Sequence, residues 1–255
     1  MRTFFATYWV LIRKLILTDL ASPKSISFWK DKVIEFIFPS ACASCGKLGP
    51  MICSSCRSKF EAIDNPICLR CGRPSTKSVV TCQSCGIEEF NLNQSRACFK
   101  YSEPLESVIK QYKYSGLHAL AEPLGNLMAQ KWPAWTQFPD MIVPVPLHIR
   151  RLRSRGFNQA ELLANQIEAI VGIEVNNHIL RRERRTRPQV DLNPKERKKN
   201  VYRAFSAESY AIRGKRILLI DDVFTTGATL ISAAGTLLEA GADSVSAYCL
   251  ARAVH

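Results

Sequence analysis

Two strings of residues in this chain could do chemistry. The first, ILLIDDVFTTGATL, runs from Ile217 to Leu230. Ile217 to Ile220 are apolar and β-prone, and read as a buried parallel strand. Asp221 and Asp222 follow at its carboxyl end, where open α/β sheets place their ligands. Thr225, Thr226, Gly227, Ala228 and Thr229 come next, small and rich in hydroxyls. The pattern predicts a helix from about Thr229 to Ala240, closed by Gly241, and a further strand from Ser244 to Leu250. A loop at a helix N-terminus offers free amides and the positive end of the helix dipole, which favour a phosphate. Two neighbouring carboxylates would repel a bare phosphate. They suit the vicinal hydroxyls of a ribose, with a hydrated Mg²⁺ nearby. The lysine of a Walker loop is missing, as is the G-x-G-x-x-G spacing. The residues therefore point to a ribose 5-phosphate group.

The second string is made of cysteines. Eight of the ten form four C-x-x-C pairs: Cys42 with Cys45, Cys53 with Cys56, Cys68 with Cys71, and Cys82 with Cys85. A two-residue gap lets one tight turn present both sulfurs to one ion, and Zn²⁺ takes four ligands in a tetrahedron. Four turns make two structural sites. Both should be all-thiolate, because His118, His148, His178 and His255 lie outside the cluster. Sequential pairing is favoured, while interleaved pairing stays open on spacing alone. So short a segment buries little core, and metal should supply its folding energy.

Composition sets the frame around both strings. Apolar residues make up 47% and charged residues 22%, which excludes a collagen, a coiled coil and a low-complexity chain. Thirty-five Lys and Arg against 22 Asp and Glu give +13 over 255 residues. Eight thiolates and two Zn²⁺ add −4 and leave about +9. The excess favours a polyanionic partner without choosing among nucleic acid, phosphorylated small molecule and anionic lipid. Phe4 to Ile12 is apolar apart from Thr7, but Arg13 and Lys14 follow and no small-residue cleavage site is evident. No stretch approaches the roughly 20 apolar residues of a spanning helix. The expected location is the cytoplasm, where clustered reduced cysteines mean metal rather than disulfide.

Four more segments bear on the site. DMIVPVP, Asp140 to Pro146, reads as a short strand running into a loop with Leu147, His148 and Arg150. RGFNQ, Arg155 to Gln159, opens a predicted helix to about Ile170, with Leu162, Leu163, Gln166, Ile167 and Ile170 as its core stripe. IKQYKYSG, with Lys110, Tyr112, Lys113 and Tyr114, either holds a phosphate or base or is an ordinary helix end capped at Gly116. Arg181 to Arg203 carries ten Lys or Arg against three acids, and Pro188 and Pro194 interrupt it. It reads as an anion-site flap, a nucleic-acid contact or a solvated loop. The lack of aromatics between Arg181 and Val201 weakens a base-stacking role.

IDDVFTTGAT resembles the 5-phosphoribosyl 1-pyrophosphate (PRPP) signature of type I phosphoribosyltransferases. The resemblance implies that Asp221 and Asp222 hold the ribose hydroxyls as catalytic residues. It implies that Thr225, Thr226, Gly227, Ala228 and Thr229 wrap the 5′-phosphate. The loop after the DMIVPVP strand would bind pyrophosphate, often through an unusual peptide bond. Val145, Pro146 and Leu147 would be its backbone donors or shape-setters, with Arg150 or Arg151 as charge partners. His148 would be a proton donor or, more often in such a loop, a structural hydrogen-bonder. The basic stretch occupies the place of a mobile loop that closes over substrate.

The whole arrangement resembles the ComF competence family, in which a double zinc-ribbon-like module precedes an amidophosphoribosyltransferase-like domain of type I. FPSACASCG, the four cysteine pairs, IKQYKYSG, VPVPLH with RLRSRGFNQA, RRTRPQVDL with RKKNVYRAF, and ILLIDDVFTTGATL carry it over about residues 36 to 250. It implies an α/β fold, with a parallel sheet flanked by helices behind a small cysteine-rich module. The expected division is an extension over residues 1–35, the zinc module over 36–90 and the phosphoribosyltransferase-like domain over 91–255. The extension is either an amphipathic segment or an upstream start.

By the same resemblance, PRPP with Mg²⁺ is the ligand. The role would be DNA uptake in natural transformation, or use of imported DNA. The chain would handle single-stranded DNA on the cytoplasmic side, near the import channel and its helicase, with peripheral association at the inner face of the membrane. The site would allow displacement of pyrophosphate at C1 of PRPP. No residue marks a nucleobase pocket, so the acceptor is open and so is catalysis. A salvage phosphoribosyltransferase and a PRPP-sensing regulator without catalysis are the alternatives. Oligomeric state is not specified. Protein purified without chelator is expected to carry about two zinc ions per chain by elemental analysis; a metal-free preparation would remove the module.

Overall fold

The computed structural model describes residues 40–87, 90–135, 137–183 and 204–254. The expected extension over residues 1–35 and most of the basic stretch, residues 184–203, lie outside these. Two compact units divide the chain, Met1–Cys42 with Gly46–Cys53, and Ala43–Cys45 with Ser54–His255. The described part of the first is a tight reversal. Ala41 bridges Leu48 antiparallel, and the Cys42 amide donates to the Lys47 carbonyl at 2.8 Å.

The second unit begins with two single-turn helices, α1 (Ser54–Arg57) and α2 (Gln83–Ile87). Then come β1 (Ser95–Lys100), α3 (Leu105–Tyr114), α4 (Ala121–Gln130), β2 (Met141–Pro144), α5 (Ile149–Arg155) and α6 (Gln159–Val171). A short antiparallel pair follows, β3 (Leu180–Arg182) with β4 (Phe205–Ala207). The unit closes with β5 (Arg216–Phe224), α7 (Ala228–Glu239) and β6 (Ser244–Arg252). The main sheet has the order β1-β6-β5-β2 and every pairing in it is parallel. This is the expected α/β architecture.

Burial on both faces explains the apolar runs. Ile217 to Ile220 are each at most 1% exposed. On one face Ile217 and Leu219 join Met141, Val143 and Val245 in a core that takes Leu230, Ala233, Ala234 and Leu237 from α7. On the other, α6 lies on β5 and β2 and packs against α4. Gly125 permits that approach, since a Cβ there would stand 2.4 Å from Cβ of Gln166.

Register aligns the starts of the two strands, and β5 runs on past the end of β2 from Asp221 to Phe224. Met141 pairs with Ile217 and Pro144 with Ile220. At the start of the pair, Asp140 Oδ2 accepts from the Arg216 amide at 2.9 Å and from its Nε at 3.0 Å. The loops after β2 and β5 both emerge at the carboxyl edge, where such sheets bind ligands.

Three elements differ from expectation. β5 continues to Phe224 and takes both acids into the strand. RGFNQ opens α6 as expected, but the residues before it, read as loop, form α5: α5 ends at Arg155, Gly156 turns the chain at φ +87°, and Asn158 starts α6 by accepting from the Ala160 amide at 3.2 Å. Glycine tolerates that dihedral and asparagine is a strong N-cap, so the pair divides two helices. The buried stripe of α6 is Ala160, Leu163, Ala164 and Ile167. Ile170, expected in that stripe, is 54% exposed. No described helix is long and apolar enough to cross a membrane.

Candidate functional site

The turn after β5 is shaped by one glycine. Gly227 has φ +79°, and a Cβ on it would lie 2.5 Å from Cζ of Phe224. Only glycine fits there. α7 starts at the next residue, so the first amides of a twelve-residue helix open onto the turn. The Thr226 Oγ1 accepts from the Ala228 amide at 3.4 Å. Thr225, Thr226 and Thr229 are half-buried, and Gly227 and Ala228 are buried. The five residues expected to hold a phosphate thus form one turn.

The two acids differ in environment. Asp222 is 3% exposed, and its Oδ1 meets the Lys113 ammonium at 2.9 Å. Its Oδ2 is buried and has no hydrogen-bond partner among the described residues. Asp221 is half-buried, and its Oδ1 accepts from the Asp222 amide at 2.9 Å. Burial, reinforced by the charge of Asp222, pushes the Asp221 carboxyl up to about 7, and Lys113 pulls against both. Burial works against the charge on Lys113, but Asp222 outweighs it and the ammonium is held above its ordinary range.

The neighbouring loop lies beside these acids. The Val145 amide donates to the Ile220 carbonyl at 2.9 Å, which extends the β2–β5 ladder to the residue before Asp221. The Asn158 Nδ2 donates to the Val145 carbonyl at 3.2 Å. Pro146, Leu147 and His148 are half-buried and Arg150 is exposed. His148 caps α5, its Nδ1 accepting from the Arg150 amide at 3.2 Å, which is the structural hydrogen-bonding role. The described cis peptide bonds lie elsewhere, at Asn65–Pro66 and Glu103–Pro104. Of the basic stretch, Arg182 on β3 belongs to this neighbourhood. Burial and the nearby Arg151 pull its pKa down to about 10, while Asp221 opposes them.

Lys113 is the site residue that sequence reading left undecided. It lies one turn after Ile109, on the buried side of α3, and a lysine on an apolar face needs a carboxylate. That signal was present, but the partner is remote in sequence. Tyr112, beside it, donates to the Gln159 carbonyl at 2.9 Å and packs on Phe157 with ring centroids 5.6 Å apart. Arg155 stacks on Tyr114 at 5.3 Å and donates to the Gln159 Oε1. IKQYKYSG and RGFNQ are therefore one packed unit beside the acids.

The cysteines form two groups, pairing in sequence order. The Sγ atoms of Cys42, Cys45, Cys53 and Cys56 lie within 4.8 Å of one another, and so do those of Cys68, Cys71, Cys82 and Cys85. A tetrahedron with Zn–S bonds of about 2.3 Å sets its sulfurs about 3.8 Å apart. Cys71 to Cys82 is 3.8 Å and Cys82 to Cys85 is 3.6 Å, so the donor set fits structural zinc. Backbone amides support the sulfurs: Cys53 donates to Cys42 Sγ at 3.5 Å, and Cys82 to Cys68 Sγ at 3.3 Å.

Two outcomes follow for the acids. Lys113→Met leaves Asp222 buried and unbalanced. It is expected to cost about 3 kcal/mol or more in urea denaturation, and adding Asp222→Asn should restore part of that; additive losses would contradict the pair. The folded Asp221 pKa is raised, so the folded chain holds a proton that the unfolded chain has released. Stability should fall as pH rises from about 4 to about 7, and Asp221→Asn should flatten that fall. An unchanged slope in the variant would contradict the assignment.

Residues 33–86 match the double zinc ribbon domain, and residues 139–255 match the phosphoribosyl transferase domain. The DNA utilization protein YhgH of Escherichia coli (strain K12) is 34% identical over 206 residues, 79% of this chain and 90% of that protein. Competence protein F of Haemophilus influenzae is 30% identical over 209 residues, again 79% and 90%. Competence protein ComFC of Bacillus subtilis is 32% identical over 219 residues, 79% and 84%. Among solved structures, a glutamine PRPP amidotransferase from B. subtilis aligns over 55% of this chain and 30% of that one, at 22% identity and a TM-score of 0.38. Identity at this level along nearly the full length of the relatives, with both domains matched, makes the chain a member of the ComF competence family.

Proposed function

We propose that this chain binds PRPP with Mg²⁺ at the carboxyl edge of its sheet and acts in DNA uptake or in the use of imported DNA. It handles incoming single-stranded DNA on the cytoplasmic side, at the inner face of the membrane. The observation that carries the first half is Asp222 Oδ2, a buried carboxylate oxygen without a hydrogen-bond partner among the described residues, beside a glycine turn at a helix N-terminus. Such an oxygen is costly unless a donor reaches it, and a ribose hydroxyl is such a donor. Asp221 is the second acceptor for the ribose. The amides and hydroxyls of Thr225 to Thr229 take the 5′-phosphate. Val145 to His148, with Arg151 and Arg182, face the pyrophosphate, whose growing charge those guanidiniums would offset on departure. Carboxylate oxygens suit Mg²⁺, so Asp221 and the PRPP oxygens would hold the ion, which neutralises phosphate charge.

The relatives named for DNA utilization and for competence support the second half, and +13 supports a polyanionic partner. We assign residues 36–90 to the zinc module and 91–255 to the phosphoribosyltransferase-like domain. Isothermal titration with Mg²⁺ and PRPP is the test. Wild type is expected to bind, and Asp222→Asn to bind at least about tenfold more weakly. A wild type that binds no better than the Asp221→Ala/Asp222→Ala variant would reject the site. Pyrophosphate release across a panel of bases then separates an enzyme from a sensor. A salt-independent affinity for single-stranded DNA would reject direct contact.

A further inference from the structure

Arg252 ends β6 and is almost wholly buried, at 4% exposed. Its Nη1 donates to the Cys71 carbonyl at 2.6 Å. Its guanidinium carbon stands 4.1 Å from the centroid of the Phe224 ring, a stacking distance for a desolvated cation. Phe224 is its register partner across β5 and β6, and the Phe224 carbonyl accepts from the Ala253 amide at 2.9 Å. The other side of the story is the glycine turn. The Phe224 ring occupies the space where a side chain at Gly227 would be, with Cζ and Cε1 at 2.5 and 2.9 Å from that Cβ position. One aromatic ring thus touches the buried arginine and supports the turn.

Cys71 belongs to the second sulfur group, and its turn is fixed against the sheet. The Ser95 amide donates to the Arg70 carbonyl at 2.8 Å, and a Cβ on Gly72 would stand 2.6 Å from the Ser95 carbonyl oxygen. Four thiolates around one Zn²⁺ carry a net charge of about −2, so the loaded centre also faces Arg252 with the opposite sign. We propose that Arg252 is a positioning residue: the second cysteine centre holds it, it clamps Phe224, and Phe224 sets the height of the Thr225–Thr229 turn. That this turn holds a phosphate rests on the function proposed above; the contacts do not. The centre is then more than a folding aid, since its occupancy reaches the turn.

Hydrogen exchange on the full-length chain tests this, because it reads the turn without PRPP. In zinc-loaded Arg252→Met, the amides of residues 225–230 are expected to exchange about tenfold faster, while α6 peptides keep their protection and zinc content stays at about two per chain. Arg252→Lys, which keeps the charge and loses the planar fork, should fall between it and wild type. Chelating zinc from wild type should speed the same amides, and should add little in Arg252→Met. Unchanged exchange at 225–230 in both zinc-loaded variants would overturn the proposal. So would a chelator effect equal in wild type and Arg252→Met. If PRPP failed to bind wild type, that result would strike the functional reading and leave this one to the exchange data.

Discussion

A carboxylate taken out of water at the end of a central strand must be balanced, and Lys113 balances Asp222. The pair costs desolvation on both sides, so it is a poor source of stability by itself. Its effect is to dictate arrangement. The end of α3 has to reach the carboxyl edge of β5, and Tyr112 then fixes the start of α6 through the Gln159 carbonyl. Asn158, one residue earlier, holds both the first turn of α6 and the Val145 carbonyl. One ion pair thereby sets the positions of four segments around the two acids. Among the described residues nothing donates to the second oxygen, Asp222 Oδ2.

The sheet provides the rest of the geometry. Parallel pairing of β2 with β5 brings the loop after β2 beside Asp221, and Arg182 lies close enough to that acid to feel its charge. Main-chain amides at the start of α7 are fixed dipoles that need no reorganisation, while Arg182, held on β3 with Arg151 nearby, adds full positive charge. Asp221, with its carboxyl pushed up to about 7, sits where a small change of environment alters its charge.

Much of this was legible in the sequence because it is local. Ile217 to Ile220, the two acids and the threonine-glycine turn are contiguous, and their order already implies strand, turn and helix. The cysteine spacing gave the donor set, and the structure selects sequential over interleaved pairing. What was not legible depends on distance or on competition. Lys113 and Arg252 act on partners remote in the chain, so no window around either reveals the role. α5 occupies what reads as loop after Pro146, because its seven residues bury nothing and so carry no apolar stripe. Ile170 matches the apolar spacing yet is 54% exposed, since spacing marks a helix face and not what covers it.

The most direct measurement is a crystal structure of the full chain with PRPP and Mg²⁺. The 5′-phosphate is expected within hydrogen-bond reach of the Gly227 to Thr229 amides, and a ribose hydroxyl on Asp222 Oδ2. Ligand density elsewhere, with Oδ2 still unpartnered and the turn bare, would contradict it.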